Sequence, residues 1–340
     1  TVDPQIGTGM SGNGVLEMGE DVNVVVAPGW TNTSDSGFAL TGVASNFTGP
    51  GAGVAAFYIL PDSTADYGGV AAGASANCLT ATGNCYVVNI GGNRRDPLLP
   101  VHLDATMEEH VTPAAVPFGQ PHLILKTWTL HVGESFTDVS NDLSLDPYYP
   151  FIETIFHFGV TSGCGNGTTY CPLQNNLRQE MSVFLLKAFL GSGYVPPDCT
   201  GLFQDVPCPA TPEFPYSNFI EDLSTRGITT GCQIGPPALF CPDQNVTRAQ
   251  MSVFLLKTLL GGAYAPPNCT GLFQDVPCPA TPEFPYSNFI EDLSTRGITT
   301  GCQVGPPALY CPDNPVTRQE MAVFLSLTFD LALYGPSVPI

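Results

Sequence analysis

Short apolar segments separated by turn residues fill the first part of the chain. Four of them have the length and apolar content of β-strands, with clusters of Gly, Pro, Asn and Asp between them. They are residues 22–27, 54–60, 86–90 and 123–132. In the last segment Trp128, Leu130 and Val132 alternate with polar residues, which is the period of a half-buried strand. The pattern predicts an antiparallel β-sandwich of the immunoglobulin-like kind over residues 15–132, with Cys78 and Cys85 closing a hairpin.

The second part of the chain is an internal repeat. Residues 199–243 recur almost letter for letter as residues 269–313, with changes only at Ile234/Val304 and Phe240/Tyr310. A third, looser copy lies upstream, between Phe136 and Gly191. Self-similarity at a fixed spacing predicts a pseudo-symmetric architecture in which each copy buries its apolar face against its neighbours.

The apolar positions within each copy predict two helices. In the second copy, residues 217–226 place Phe219, Ile220 and Leu223 on one side and end at Gly227, which suits a left-handed helix cap. This first helix is therefore short and amphipathic.

The second helix of each copy begins with a capping signal. Thr247 to Gln250 and Thr317 to Glu320 are capping boxes, whereas the first copy has Leu177 at the cap position, so its cap comes from Asn176 or is weaker. The helix after Thr247 is apolar nearly all round, which predicts a place at the centre of a bundle.

Charge restricts the possible partners. The 340 residues carry 10 basic and 30 acidic side chains, and the net charge of -20 disfavours nucleic acid and anionic membrane surfaces. No run of about 18 apolar residues occurs, so we expect no membrane span. The chain begins at Thr1 with no signal-like segment, from which we expect that a leader was removed and that the protein is secreted.

Twelve cysteines in close pairs indicate an oxidising, extracellular compartment. The second and third copies have four each, whereas the first copy has only Cys164 and Cys171, the counterparts of the second pair. Because the other two are absent together, the copies themselves predict the pairing. Zinc is the competing interpretation, but no C-x-x-C occurs and His is scarce. The predicted disulfides are Cys78–Cys85, Cys164–Cys171, Cys199–Cys208, Cys232–Cys241, Cys269–Cys278 and Cys302–Cys311.

With these residues in place, the repeat resembles the S-layer homology module over residues 135–330. In the second copy the matching residues are Phe203, Gln204, Asp205, Val206, Ile220, Leu223, the segment 227–231, Cys241, Pro242 and the segment 246–251. The third copy matches at Phe273, Asp275, Gly297, Ile298, Gly301, Pro312, Thr317, Arg318 and Glu320. The first copy matches at Phe136, Asp138, Val139, Gly159, Gly163, Pro172, Arg178 and Glu180. The repeat is similar to the cysteine-containing branch of this family, which is found on secreted bacterial proteins.

The resemblance implies three modules, at residues 133–193, 194–262 and 263–330, folded into a pseudo-threefold unit around a three-helix bundle. It also implies grooves that bind cell-envelope glycans, with Arg178, Arg248 and Arg318 as the groove arginines. A guanidinium suits that role because its planar fork pairs with a carboxylate through two hydrogen bonds. The alternative is that each Arg pairs with a nearby Asp or Glu. The fold class expected for the whole chain is therefore multidomain α+β, a sandwich followed by a mainly helical tandem stapled by disulfides.

Candidate catalytic and metal-binding groups are few. His102, Asp104, Glu108, Glu109 and His110 cluster in sequence, but they lack a zinc-site order and read as solvated loop residues. Four aspartates resemble weak Ca²⁺ ligands, and turn capping is the competing role. Neither a phosphate-binding loop nor a nucleophile elbow occurs, so we expect no cofactor and no enzymatic activity. The four aspartates are Asp205, Asp243, Asp275 and Asp313.

Five N-x-S/T sequons are candidates for glycosylation: Asn32, Asn46, Asn166, Asn245 and Asn268.

Two terminal segments, the arm 1–14 and the apolar tail 331–340, are candidates for strand exchange with a neighbouring molecule. The sequence thus predicts an extracellular structural protein, the self-assembling subunit of a filament or layer. Two alternatives stay open: a monomeric glycan-binding anchor that displays the sandwich, and a secreted hydrolase.

Overall fold

A computed structural model describes most of the chain. The described residues are 6–7, 10–11, 16, 23–49, 57–91, 104–114, 124–130, 132–133, 135–140, 143, 145–165 and 167–333. Contacts divide them into two compact units: one holds the residues up to Glu153 with Gly165–Thr169, and the other holds Thr154–Cys164 and Tyr170–Leu333. The division lies inside a helix of the first predicted copy.

The protein is a mixed α/β structure. Its strands are β1 Ile6–Gly7, β2 Met10–Ser11, β3 Val24–Val26, β4 Gly29–Thr31, β5 Phe38–Thr48, β6 Phe57–Asp62, β7 Thr64–Val70, β8 Ser75–Asn77, β9 Tyr86–Gly91, β10 Ala105–Pro113 and β11 Ile124–Leu130. Its helices are α1 Cys78–Ala81, α2 Tyr149–His157, α3 Arg178–Leu190, α4 Ser217–Thr225, α5 Arg248–Leu260, α6 Ser287–Thr295 and α7 Arg318–Thr328. No helix within these described ranges is long and apolar enough to cross a membrane.

The strands of the first unit form antiparallel sheets. The larger sheet has the order β11-β10-β5-β7 and a second has the order β3-β9-β6, while β4 pairs with β8 and β1 with β2. Side chains from both main sheets, among them Met107 and Val111 of β10 and Tyr86 and Val88 of β9, belong to one apolar core. A core shared by two antiparallel sheets is the arrangement of a β-sandwich.

The hydrophobic pattern located only part of these sheets. Strands β9 and β11 lie where the sequence predicts them, and β3 and β6 lie within or near their predicted segments. Strands β5, β7 and β10 were missed because their buried positions include small or polar residues such as Ala44, Ala65 and Glu109. The expected hairpin at Cys78 and Cys85 is wrong: α1 lies between β8 and β9, and these two strands pair with other partners.

In the second unit the first helix of each of the two near-identical copies, α4 and α6, buries one face. Ile220 and Leu223 of α4 are buried and Phe219 is half-buried, close to the predicted pattern. The helix ends one residue earlier than expected, and Gly227 follows with a φ of 72°, a left-handed conformation that glycine adopts without strain.

Helices α3, α5 and α7 contact one another in all three pairs. Thr247 and Thr317 accept hydrogen bonds from the backbone of Gln250 and Glu320, as the capping boxes predict. Helix α3 has the weaker cap, because Leu177 has no side-chain acceptor and only Glu180 accepts a bond from the Leu177 backbone, at 3.2 Å. Helix α5 is buried along most of its length, but its last residue, Leu260, is exposed.

A closed ring of backbone hydrogen bonds connects the three copies just before these helices. Val246 donates to the carbonyl of Asn176, Val316 donates to Val246, and Asn176 donates to Val316, each at 2.9 Å. Equivalent segments of the three copies are therefore bound in a cycle, with each one donating to one neighbour and accepting from the other.

Candidate functional site

The three candidate arginines lie at the first position of α3, α5 and α7, and each is only 3–5% exposed. Every guanidinium donates from Nε to a backbone carbonyl of the next copy in the cycle. The bonds are Arg178 to Phe240 at 2.8 Å, Arg248 to Tyr310 at 2.9 Å and Arg318 to Tyr170 at 2.8 Å.

Each guanidinium also lies against two aromatic rings, with distances of 4.8–5.5 Å to the ring centroids. Arg248 pairs with Glu320 at 3.1 Å and Arg318 approaches Glu180 at 3.9 Å. The arginines thus join neighbouring copies, and two of them pair with an acid as in the alternative interpretation. Glycan binding by these residues stays a prediction.

Arg178 differs from the other two arginines. At the position equivalent to Glu320 and Glu180 its neighbouring copy has Gln250, and Nη2 of Arg178 is buried with no hydrogen-bond partner among the described residues. Burial lowers the pKa of Arg178 to about 10. Of the three arginine contacts between copies, the one between the first and second copies is therefore the one that leaves a buried guanidinium nitrogen without a hydrogen-bond partner among the described residues.

Part of the predicted cluster at residues 102–110 lies on a strand. His102 lies outside the described residues and Asp104 directly precedes β10, whereas Glu108, Glu109 and His110 lie on β10. Glu109 is 0% exposed and points into the core, while Glu108 and His110 lie on the other face of the strand. The interpretation as solvated loop residues is therefore wrong for these three, and alternation along the strand separates Glu109 from the other candidate ligands.

Glu109 binds four donors in the core of the sandwich. Its Oε1 accepts from the hydroxyls of Tyr67 at 2.5 Å and Tyr86 at 2.7 Å. Its Oε2 accepts from the indoles of Trp30 at 3.1 Å and Trp128 at 2.6 Å, the only two tryptophans of the chain. Burial, the hydrogen bond to Glu109 and its charge raise the pKa of Tyr67 and Tyr86, so both phenols remain protonated donors. Sequence reasoning missed this cluster because its members lie on five different strands.

A second structural carboxylate occurs in the two near-identical copies. Glu221 accepts bonds from the backbone of Thr200, Gly201 and Leu202 at 2.6–2.7 Å, and Glu291 accepts the equivalent bonds from residues 270–272 at 2.5–2.7 Å. Burial raises the pKa of Glu221, but these hydrogen bonds outweigh it and the pKa lies below its ordinary value. The signal in the sequence was an acid at the same position of every copy, where the first copy has Glu153.

The aspartates proposed as Ca²⁺ ligands divide into two kinds. Asp205 accepts bonds from the backbone of Phe240 and Cys241 at 2.8 and 2.7 Å, and Asp275 binds its own copy in the same way. Asp243 and Asp313 are exposed. Among the described residues, three groups of acids and cysteines lie close enough together to suggest a metal site, but each contains a disulfide, whose sulfurs are not thiolates.

The sequons differ in accessibility. Asn32 is buried and its amide donates to the carbonyls of Ser36 and Val70, so a glycan cannot be attached there without breaking the fold. Asn46, Asn245 and Asn268 are exposed, and Asn166 lies outside the described residues.

All twelve cysteines are paired. The disulfides join Cys78–Cys85, Cys164–Cys171, Cys199–Cys208, Cys232–Cys241, Cys269–Cys278 and Cys302–Cys311. These are the pairs that the comparison of the copies predicts. Six disulfides are typical of an oxidising compartment.

The outer edge of the larger sheet, here called the open edge, has no second neighbouring strand within the described residues. Strand β11 is the last strand of that sheet, and within the described ranges it pairs only with β10. Ile124 and Leu125 at its start are 44% and 55% exposed. Just beyond its end, Leu16 forms a parallel bridge with Val132 and accepts a bond from the Gly133 backbone at 2.6 Å. Leu16 is fully buried in the sandwich core.

Comparison of the chain with models of known protein families gives no match. Comparison with curated proteins gives none either.

Proposed function

We propose that the protein is a structural subunit of an extracellular homopolymer, a filament or a layer. The open edge of β11 carries this proposal. A strand edge presents unpaired backbone N–H and C=O groups, and natural proteins normally protect such edges with charge, proline or a covering segment. Here β11 is seven residues long, has Lys126 as its one charged residue, and begins with two exposed apolar side chains.

The rest of the molecule supports a structural role. The arginines, Glu109 and Glu221 are occupied by contacts that hold the fold together. Disulfides close short loops in every copy, and each is worth about 2–3 kcal/mol in the chain-entropy model. Such cross-linking suits a subunit that persists outside the cell.

We also propose that residues 133–330 are a tandem of S-layer homology modules. The cyclic hydrogen bonds among residues 176, 246 and 316 and the mutual contacts of α3, α5 and α7 support this assignment. An anchor that binds glycan through the three arginines is less favoured, because their guanidinium groups are buried against aromatic rings.

The test is sedimentation velocity together with negative-stain electron microscopy. The double variant Ile124→Lys/Leu125→Lys places two charges on the open edge, whereas the control Val43→Lys places a charge at an equally exposed apolar position on the central strand β5. We expect the unmodified chain and the control to polymerise. The edge variant should form at least about tenfold less polymer by mass. An edge variant that polymerises like the unmodified chain would remove β11 from the assembly.

A further inference from the structure

The residues of the open edge are complementary to a second copy of the same edge. We propose that β11 of one subunit pairs antiparallel with β11 of a second subunit, about a twofold axis that passes beside Thr127. This inference rests on the proposed homopolymer and adds to it the partner segment, its direction and its register. All seven residues that pair on each side are described by the structure.

Pairing of two identical strands allows only some registers. In an antiparallel pair, residues that face each other point to the same side of the sheet, and side chains alternate between the two sides along each strand. When both strands have the same sequence, each residue therefore faces a residue an even number of positions away. The twofold axis must then pass beside one residue and not between two.

The structure favours the axis beside Thr127, which gives all seven residues of β11 a partner. An axis one residue further along the chain would set Ile124 of the second copy against Val132, where Leu16 already lies. The free part of the edge therefore ends at residue 130. An axis one residue earlier would set Lys126 against Lys126, and like charges directly opposite each other destabilise a sheet. A larger shift in this direction pairs fewer of the described residues.

Unlike side chains meet on the core face of the paired strands. The even-numbered residues of β11 lie opposite buried residues of β10 and so belong to this face. Lys126 then faces Trp128 of the second copy, and Ile124 faces Leu130. Within the subunit the Lys126 ammonium already lies over the half-buried Trp128 ring, 5.4 Å from its centroid. Pairing brings a second indole beside each ammonium, which is an attractive cation–π contact.

The exposed apolar side chains of β11 also gain cover. Ile124 is 44% exposed in the subunit, and Leu130 of the second copy lies beside it after pairing. On the outer face Leu125, 55% exposed, meets Thr129, and Thr127 meets its own copy at the axis. Cross-strand threonine pairs stabilise antiparallel sheets through contact between their side chains. Burial of the two apolar residues from water adds to the stability of the contact.

Charge favours this edge as the place where two copies meet. The chain has a net charge of -20, which opposes association. Strand β11 contains Lys126 and no acid, so the two strands bring no pair of acids together. In the chosen register the two lysines face indoles instead of each other.

The twofold pairing defines the repeating unit of the polymer. A twofold contact uses the same patch on both subunits and by itself closes a dimer. The homopolymer then needs a second contact on another face of the molecule. Dimers joined through β11 are therefore its building blocks.

Cysteine cross-linking of a single variant tests the axis. Thr127→Cys is oxidised mildly and examined by non-reducing electrophoresis and mass spectrometry. Because the native cysteines are all paired, the introduced thiol is the reactive one. Residues directly opposite each other have Cα atoms about 4.5–5.5 Å apart, which a disulfide can span. We expect a covalent dimer of this variant.

Leu125→Cys and Thr129→Cys are the controls, because both residues lie on the same strand and face as Thr127. In the proposed register each of them is four residues, about 13 Å, from its own copy. Each control alone should therefore give at least about fivefold less covalent dimer. An equal mixture of the two controls should restore it, with one chain of each kind, because Leu125 faces Thr129.

The outcomes separate this inference from the proposed function. Either control cross-linking alone as well as Thr127→Cys overturns the register. Polymers in which Thr127→Cys does not cross-link overturn the pairing of β11 with itself and leave the homopolymer intact. Cross-linked dimers that never form longer assemblies support the pairing and contradict the homopolymer.

Discussion

The indole of Trp128 donates a hydrogen bond of 2.6 Å to Glu109, so that the edge strand β11 is fastened to a carboxylate in the core. Trp30, from a different sheet, shares the same carboxylate oxygen. The two rings meet edge to face with their centroids 6.0 Å apart. One acidic side chain therefore fixes the orientation of both tryptophans and connects the open edge with the centre of the sandwich.

Replacement of Glu109 tests how much this carboxylate contributes. Glu109→Gln keeps the shape of the side chain but replaces one acceptor oxygen with an amide donor. The buried donors that bind this oxygen then have no acceptor. We expect the free energy of unfolding of the first unit to fall by at least about 2 kcal/mol. Unfolding in guanidinium chloride, followed by tryptophan emission, measures this change in free energy, because both tryptophans donate to Glu109. The neighbouring Glu108→Gln should cost less than about 1 kcal/mol. Equal effects of the two variants would show that the four-donor cluster is not stabilising.

The Nη2 group of Arg178, which has no hydrogen-bond partner among the described residues, leads to a prediction of increased stability. Gln250→Glu restores the acid that the equivalent positions Glu180 and Glu320 supply, and should raise the stability of the second unit by about 1 kcal/mol. Gln319→Glu is the control, because it adds the same charge to the first turn of α7, where Arg318 already has an acid nearby. Thermal unfolding of both variants provides the comparison. If Gln250→Glu raises the stability no more than the control does, the new charge acts on the N-terminus of the helix and not on Arg178.

Acid sensitivity of the second unit should depend on Glu221 and Glu291, whose pKa values lie below the ordinary value. A carboxylate with a depressed folded pKa contributes stability that is present above its unfolded pKa, about 4.3, and is lost as the pH falls through the folded value. We expect the free energy of unfolding to decline below about pH 4.

The double variant Glu221→Gln/Glu291→Gln should show a smaller decline, measured by denaturant unfolding at a series of pH values. The exposed pair Glu213→Gln/Glu283→Gln provides the control and should keep the slope of the unmodified chain. If both double variants retain the same slope, other acids are responsible.

Local signals in the sequence predicted the helical half of the molecule well. The caps at Thr247 and Thr317 and the turn at Gly227 depend on residues within one helical turn, so a short window contains the necessary information. Similarly, the cysteine pairing followed from a comparison of the copies, because the sequence alone shows that the first copy lacks two of the four cysteines.

Features that depend on distant residues were not predicted. Glu108-Glu109-His110 has the composition of a loop, and only the four donors brought from Trp30, Tyr67, Tyr86 and Trp128 make burial of Glu109 possible. The partner of Arg248 lies 72 residues away in the next copy, beyond the reach of any periodic pattern. The small residues of β5 likewise gave no strand signal, although Leu40, Ala44 and Phe47 are buried.

Electron microscopy of the purified, unmodified chain tests the central claim most directly. We predict polymers in which a reconstruction shows one additional strand beside β11, contributed by the next subunit. Single subunits at every concentration and salt condition, or polymers in which the edge of β11 is uncovered, would contradict it.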